Sequence, residues 1–263
     1  MPGIDELFQF SSIRPPVKLE VMSWDLDEAG VLRWPPWQEL SWLVHGFSTR
    51  LAGDFQRPAP ADTPHRFGAV DFGLITLHQI HSDIVRAAFA ARGETEGDGL
   101  VTDQPGELLG VRTADCLPLL LLDRENRAVA AVHAGWRGTA ANIASLAVER
   151  MIDDFGTQPN HLEALIGPCI GSDHYEVGLE VAEQFPPEVI LEFEGKPRPF
   201  LDLAAANRLQ LLDAGVPGRA IHSANLCTYT REDWFYSYRR SADAQRMLAV
   251  IGLRDNSQLQ VSP

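Results

Sequence analysis

LPLLLLDRENRAVAAVHAGWRGTAANIASLAVERMIDDFG, residues 117–156, switches from one kind of regular structure to another within a single stretch. Leu117 to Leu122 is an apolar run of strand length, DREN is turn-like, and AVAAVHA (128–134) reads as a second strand. A glycine-flanked turn, GWRG, follows, with Thr139 as the expected N-cap of a helix. Ile143, Leu146, Ala147, Met151 and Phe155 then keep helical spacing, and Gly156 stands where a glycine closes a helix. Strands and helices feeding one core predict a layered α+β or α/β domain.

The pattern continues outward. ITLHQIHSDIV (75–85) alternates apolar and polar residues like a half-buried strand, and VKLEVMSWDL (17–26) reads as an edge strand. RWPPWQEL (33–40) is a proline-punctuated turn carrying two tryptophans, and residues 51–65, rich in Pro, Ala and Asp, read as a surface loop. Downstream, LEALIGP (162–168), AIHSANL (220–226) and MLAVIGL (247–253) are expected strands. YEVGLEVAEQF (175–185) is an expected helix stopped by Pro186-Pro187, and residues 201–216 form a second, capped by Asp202 and ended by Gly215. With no repeat and no Gly/Ser linker, residues 1–263 are expected to form one domain with residues 1–40 peripheral.

Composition narrows the function classes. The chain is 45% hydrophobic and 22% charged, and has no apolar run of 18 residues, which points to a globular protein without a membrane span. MPGIDELFQFSSIRPP lacks a basic start followed by an apolar stretch, so a cytoplasmic location is expected. A net charge of −14 with no basic stripe argues against nucleic-acid binding. Cys116, Cys169 and Cys227 are three and widely spaced, which favours metal or thiol chemistry over a disulfide framework.

His81, Cys116 and His133 each sit in or at the end of an apolar strand-like segment beside turn-forming residues. One Cys and two His supply three zinc-type ligands and leave a fourth position for water or substrate, the pattern of a catalytic site. On a strand, His78 would face away from His81, whereas Gln79 would share its face and could orient a ligand or bind substrate. In HAGWRG, Arg137 and a helix N-terminus near Thr139 would converge beside His133, which suits a phosphate or carboxylate. Asp115 is the candidate general base. Cys169 reads as a structural thiol, and Cys227 with Tyr238, Arg239 and Arg240 as a further wall.

HGFSTR (45–50), QIHSDIV (79–85), GDGLVTD (97–103), RTADCLPLLL (112–121), AAVHAGWRGTAANI (130–143), IGPCIG (166–171), HYEVG (174–178), NLCTY (225–229) and FYSYRR (235–240) together resemble the YfiH-like, or laccase-domain, family. That resemblance implies a fold of packed β layers flanked by helices (α/β/β/α). It also implies Zn²⁺ on His81, Cys116 and His133. The implied activity is phosphorolysis of adenosine, inosine and methylthioadenosine, plus adenosine deamination, with nucleoside and phosphate as partners. The chain departs from the family pattern in lacking a helix before Gln79, in Asp71 where Asn is common, and in Gln245-Arg246 where Gly-Arg is usual.

Three other readings use the same residues. An amidase editing a nucleotide-linked cell-wall precursor would employ the same metal, or Cys116 as nucleophile with His133 as base. A copper oxidase is disfavoured by eight histidines without a His-x-His pair, although Cys and His donors would take up copper in vitro. A metal-stabilised interaction protein would unfold when stripped of its ion.

Overall fold

The computed structural model describes residues 24–91 and 95–255. Most of the expected strand at 17–26 lies outside them. The first half of the chain contributes β1 (Asp25–Leu26), β2 (Val31–Arg33), β3 (Leu43–Ser48), β4 (Gly73–Thr76), β5 (Val85–Ala87), β6 (Gly99–Thr102) and β7 (Glu107–Thr113). The second contributes β8 (Leu117–Asp123), β9 (Ala128–Ala134), β10 (Leu162–Ile166), β11 (Ile190–Leu191), β12 (Phe200–Leu201), β13 (Ile221–Ser223) and β14 (Met247–Leu253). They form two mixed six-stranded sheets, ordered β1-β2-β3-β14-β7-β4 and β13-β10-β8-β9-β6-β5, and a β11-β12 ribbon.

The β8–β9 hairpin is the middle of the sandwich, and its alternation explains the layering. Asp123 makes the turn: Oδ1 accepts from the Glu125 and Asn126 amides at 2.9 and 3.1 Å. Leu117, Leu119, Leu121 and the even-numbered alanines of β9 point to the helices Ile143–Phe155 and Leu203–Asp213. Leu120, Leu122, Val129 and Ala131 point instead to Leu109, Val111, Ala249 and Ile251 of the other sheet. His133 continues the second set, so strand parity aims it between the sheets at the end of β9. The outer face of the first sheet is covered by Phe55, Phe67 and Phe72 from irregular chain and the single turn Thr63–Arg66. The architecture is α+β as expected, with its long helices gathered on one side.

Several local expectations are corrected. ITLHQIHSDIV is not one strand: β4 ends at Thr76, β5 starts at Val85, and His81 between them has φ +60°. Thr139 caps nothing; it lies inside the turn Trp136–Ala140, its hydroxyl accepting from Asn207 at 3.0 Å, and the long helix starts after left-handed Asn142. YEVGLEVAEQF keeps only the turn Leu179–Ala182. Asp202 does cap its helix, through the Ala205 amide at 2.8 Å, and Gly156 is left-handed at φ +70°. Within the described part of the segment read as peripheral, residues 31–37 pack into the core. Val31, Leu32, Trp34 and Trp37 are buried, and Trp37 Nε1 donates to Glu163 at 2.7 Å.

His45, buried in β3, accepts from the Trp34 amide at 2.9 Å. Burial, then the Arg33 charge, lower its pKa from 6.5 to about 3. The unfolded chain therefore binds a proton that the folded chain refuses. This contribution to stability is complete above pH 6.5 and is lost as pH falls from there towards 3, at about 1.4 kcal/mol per pH unit. Chemical denaturation between pH 7 and 4.5 should show a slope that His45→Gln flattens; equal slopes in the two proteins would refute the assignment.

Candidate metal centre

Cys116 precedes β8, His133 lies near the end of β9, and the β4–β5 connection carries His81 across to them. One donor atom from each lies within 4.8 Å of the others, and the two imidazole rings stand 4.9 Å apart at 74°. Gly135 explains part of the HAGWRG motif. A Cβ there would come within 2.9 Å of His81 Cδ2 and 3.1 Å of Cys116 Sγ, so the backbone passes the cluster only without a side chain.

The residue that assembles the cluster is Asp98, the second residue of GDGLVTD. Its buried carboxylate accepts from the Ile80, His81 and Ser82 amides at 3.2, 3.1 and 2.6 Å, and from the Ser82 hydroxyl at 2.6 Å. These bonds hold the left-handed turn that presents His81. Asp98 Oδ1 also lies 2.7 Å from His133 Nδ1. A carboxylate accepts only, so Nδ1 carries the proton and Nε2 is left for an ion, the usual outer support of a metal-binding histidine. The sequence signal was faint: an acid between two glycines before a strand.

Burial alone would push the Cys116 thiol up, but the charge and hydrogen bond of His133, assisted by His81, bring it down to about 6. Burial also opposes charge on His133, yet Cys116 and Asp98 raise it to about 9. In the metal-free site each partner thus favours the charged form of the other, while burial drives the Cys169 thiol up. Alkylation of the metal-free chain should label Cys116 with a rate that rises through pH 6 and should spare Cys169. A rise only near the ordinary thiol value of about 8.5 would mean the pair does not form.

The three donors open on a cavity of about 740 Å³. Its wall includes Trp136, Tyr175 and Tyr238, and four arginines, Arg57, Arg112, Arg239 and Arg246. The loop read as surface, 51–65, thus contributes wall through Gln56 and Arg57. His78 lines the cavity alongside His81, because the segment is a turn rather than a strand. Gln79 lines it too, with its amide bound to the Arg112 backbone at 2.8 and 2.9 Å. Asp115, with φ +90°, accepts from Thr228 Oγ1 and the Arg239 amide, both at 2.6 Å. Arg137 is not part of the lining; it is exposed, its guanidinium 4.4 Å from the Trp136 ring centre. Cys169, Cys227 and Arg240 also lie outside the lining, and Arg240 binds the Thr228, Tyr229 and Phe235 carbonyls.

One cysteine and two histidines beside an open cavity suit a divalent ion of borderline softness, and Asp98 supplies the support such a site requires. The fold and this cluster together define a two-sheet α+β protein with a candidate metal centre at the edge of its sandwich. The chain belongs to the YfiH-like family, described as multi-copper polyphenol oxidoreductase laccase, which matches residues 64–254. It is 47% identical over 235 residues to a purine nucleoside phosphorylase of Deinococcus radiodurans, covering 80% of this chain and 89% of that one. It is 39% identical over 149 residues to the adenosine deaminase RL5 of an unknown prokaryotic organism, covering 54% and 56%. The crystal structure of a YfiH protein from Bacillus licheniformis superposes with a TM-score of 0.77 at 27% identity, covering 88% of this chain and 99% of that one. Among the described residues, no helix is long and apolar enough to cross a membrane.

Proposed function

We propose that the chain is a zinc-dependent purine nucleoside phosphorylase, acting on adenosine, inosine and methylthioadenosine, that also deaminates adenosine. The observation that carries this reading is Arg112 in the wall beside the three donors. Its residue is 8% exposed, its Nη2 donates to the Leu77 carbonyl at 2.8 Å, and its Nη1 has no hydrogen-bond partner. Among the described residues no carboxylate pairs with it, and burial and then Arg57 lower its pKa. A buried cation with an unpartnered N–H is unfavourable until an anion arrives. In a chain of net charge −14, this concentration of arginine favours a phosphate.

Phosphate on Arg112 and Arg57, with the purine against the faces of Trp136, Tyr175 or Tyr238, would leave the ribose between them. A phosphate oxygen would then bond to the anomeric carbon as the bond from that carbon to the purine nitrogen breaks. Asp115 has both oxygens engaged, so we assign it to holding Thr228 and Arg239 in place rather than to proton transfer. His81, Cys116 and His133 would hold the ion, which supplies Lewis acidity when bound.

The test is turnover by the zinc-loaded chain with and without phosphate. Inosine should give hypoxanthine and ribose phosphate only when phosphate is present, and adenosine should also give inosine without it. No turnover of either nucleoside by a zinc-loaded chain would overturn the reading.

A further inference from the structure

We propose that Asp173, His174 and Cys227 form a second metal site, suited to a borderline-soft divalent ion such as Zn²⁺, that clamps together two loops behind the cavity wall. One oxygen, one nitrogen and one sulfur donor lie within 4.8 Å of one another. None of these residues lines the cavity, so the cluster is separate from His81, Cys116 and His133. The donor set combines a thiolate and an imidazole with a carboxylate, ligands that zinc accepts together.

The surroundings hold the donors in place. The His174 ring stacks on Tyr229 at 4.5 Å and 24°, with Nε2 3.4 Å from Asp173 Oδ2. Cys227 is anchored by an isolated bridge to Cys169, and its Sγ accepts from the Gly171 amide at 3.1 Å. Gly171 repeats the relation of Gly135 to the first cluster: a Cβ there would come within 2.8 Å of Asp173 Oδ1 and 3.2 Å of Cys227 Sγ. In both places the backbone passes between donors where a side chain would separate them. His174 is part-exposed, which leaves an ion a route in.

The consequence concerns the cavity. Tyr175, next to His174, lines it, and Thr228, next to Cys227, binds Asp115, whose neighbour is Cys116. An ion joining the 171–174 turn to the 227–230 turn would steady both pieces of wall.

Cobalt binding separates this site from the first. The double variant His81→Ala/Cys116→Ser should retain one Co²⁺ per chain with a sulfur-to-cobalt absorption band. Adding Cys227→Ala should remove the band and that ion, and adding His174→Ala, at a part-exposed position, should weaken binding at least tenfold while circular dichroism stays unchanged. A double variant that folds but binds no Co²⁺, or a band that survives Cys227→Ala, would overturn the second site. Retention of two ions by the double variant would overturn the first assignment instead.

Discussion

Asp98→Ala is expected to lose metal affinity by about 10- to 100-fold and to lower the stability of the metal-free chain by about 3–5 kcal/mol. The carboxylate is the acceptor for three consecutive backbone amides, one hydroxyl and the His133 ring. Removing it leaves the buried His133 ring without its acceptor, strips the part-buried Ile80, His81 and Ser82 donors of theirs, and releases the left-handed turn at His81, whose φ of +60° a non-glycine residue adopts only when held. Two of the three ion ligands therefore depend on this one side chain. Competition against a coloured chelator, together with denaturant titration of the stripped protein, reads both effects. A variant as stable and as tight as wild type would show that the cluster is formed by something other than Asp98.

Arg112→Met is expected to do the opposite to stability. Methionine fills most of the arginine's volume without bringing an unpaired charge into the wall, so the melting temperature should hold or rise. The phosphate KM should rise about 30- to 1000-fold, the loss of roughly 2–4 kcal/mol of charge-assisted hydrogen bonding. Deamination of adenosine, which needs no phosphate, should change little. Arg137→Ala is the paired comparison, since Arg137 is exposed against Trp136. A large rise in phosphate KM there and none at Arg112 would move the anion to the rim and refute the Arg112 assignment. A residue whose removal stabilises the fold while weakening the reaction is retained for the reaction.

The sequence by itself determined the elements whose identity rests on near-neighbour physics. The β8–β9 hairpin follows from an apolar run, an Asp-initiated turn and an alanine-valine run, and the helix Ile143–Phe155 follows from its spacing and Gly156. Asp202 was legible as a cap because capping is a contact across three residues. The residue types at His81, Cys116 and His133 were legible too, as reactive groups in apolar surroundings. What only the tertiary structure decided is their meeting, because it depends on Asp98, just before β6, reaching into the β4–β5 connection and to the ring of His133. The alternating pattern of ITLHQIHSDIV favoured a strand, but an acceptor for three successive amides curls the chain instead. Arg112 carries no local signal of its role, since nothing nearby in sequence reveals that its Nη1 ends up without a partner. Local periodicity reports which side of an element is apolar. It carries no information about which distant polar group will arrive there, and the candidate site is built from such arrivals.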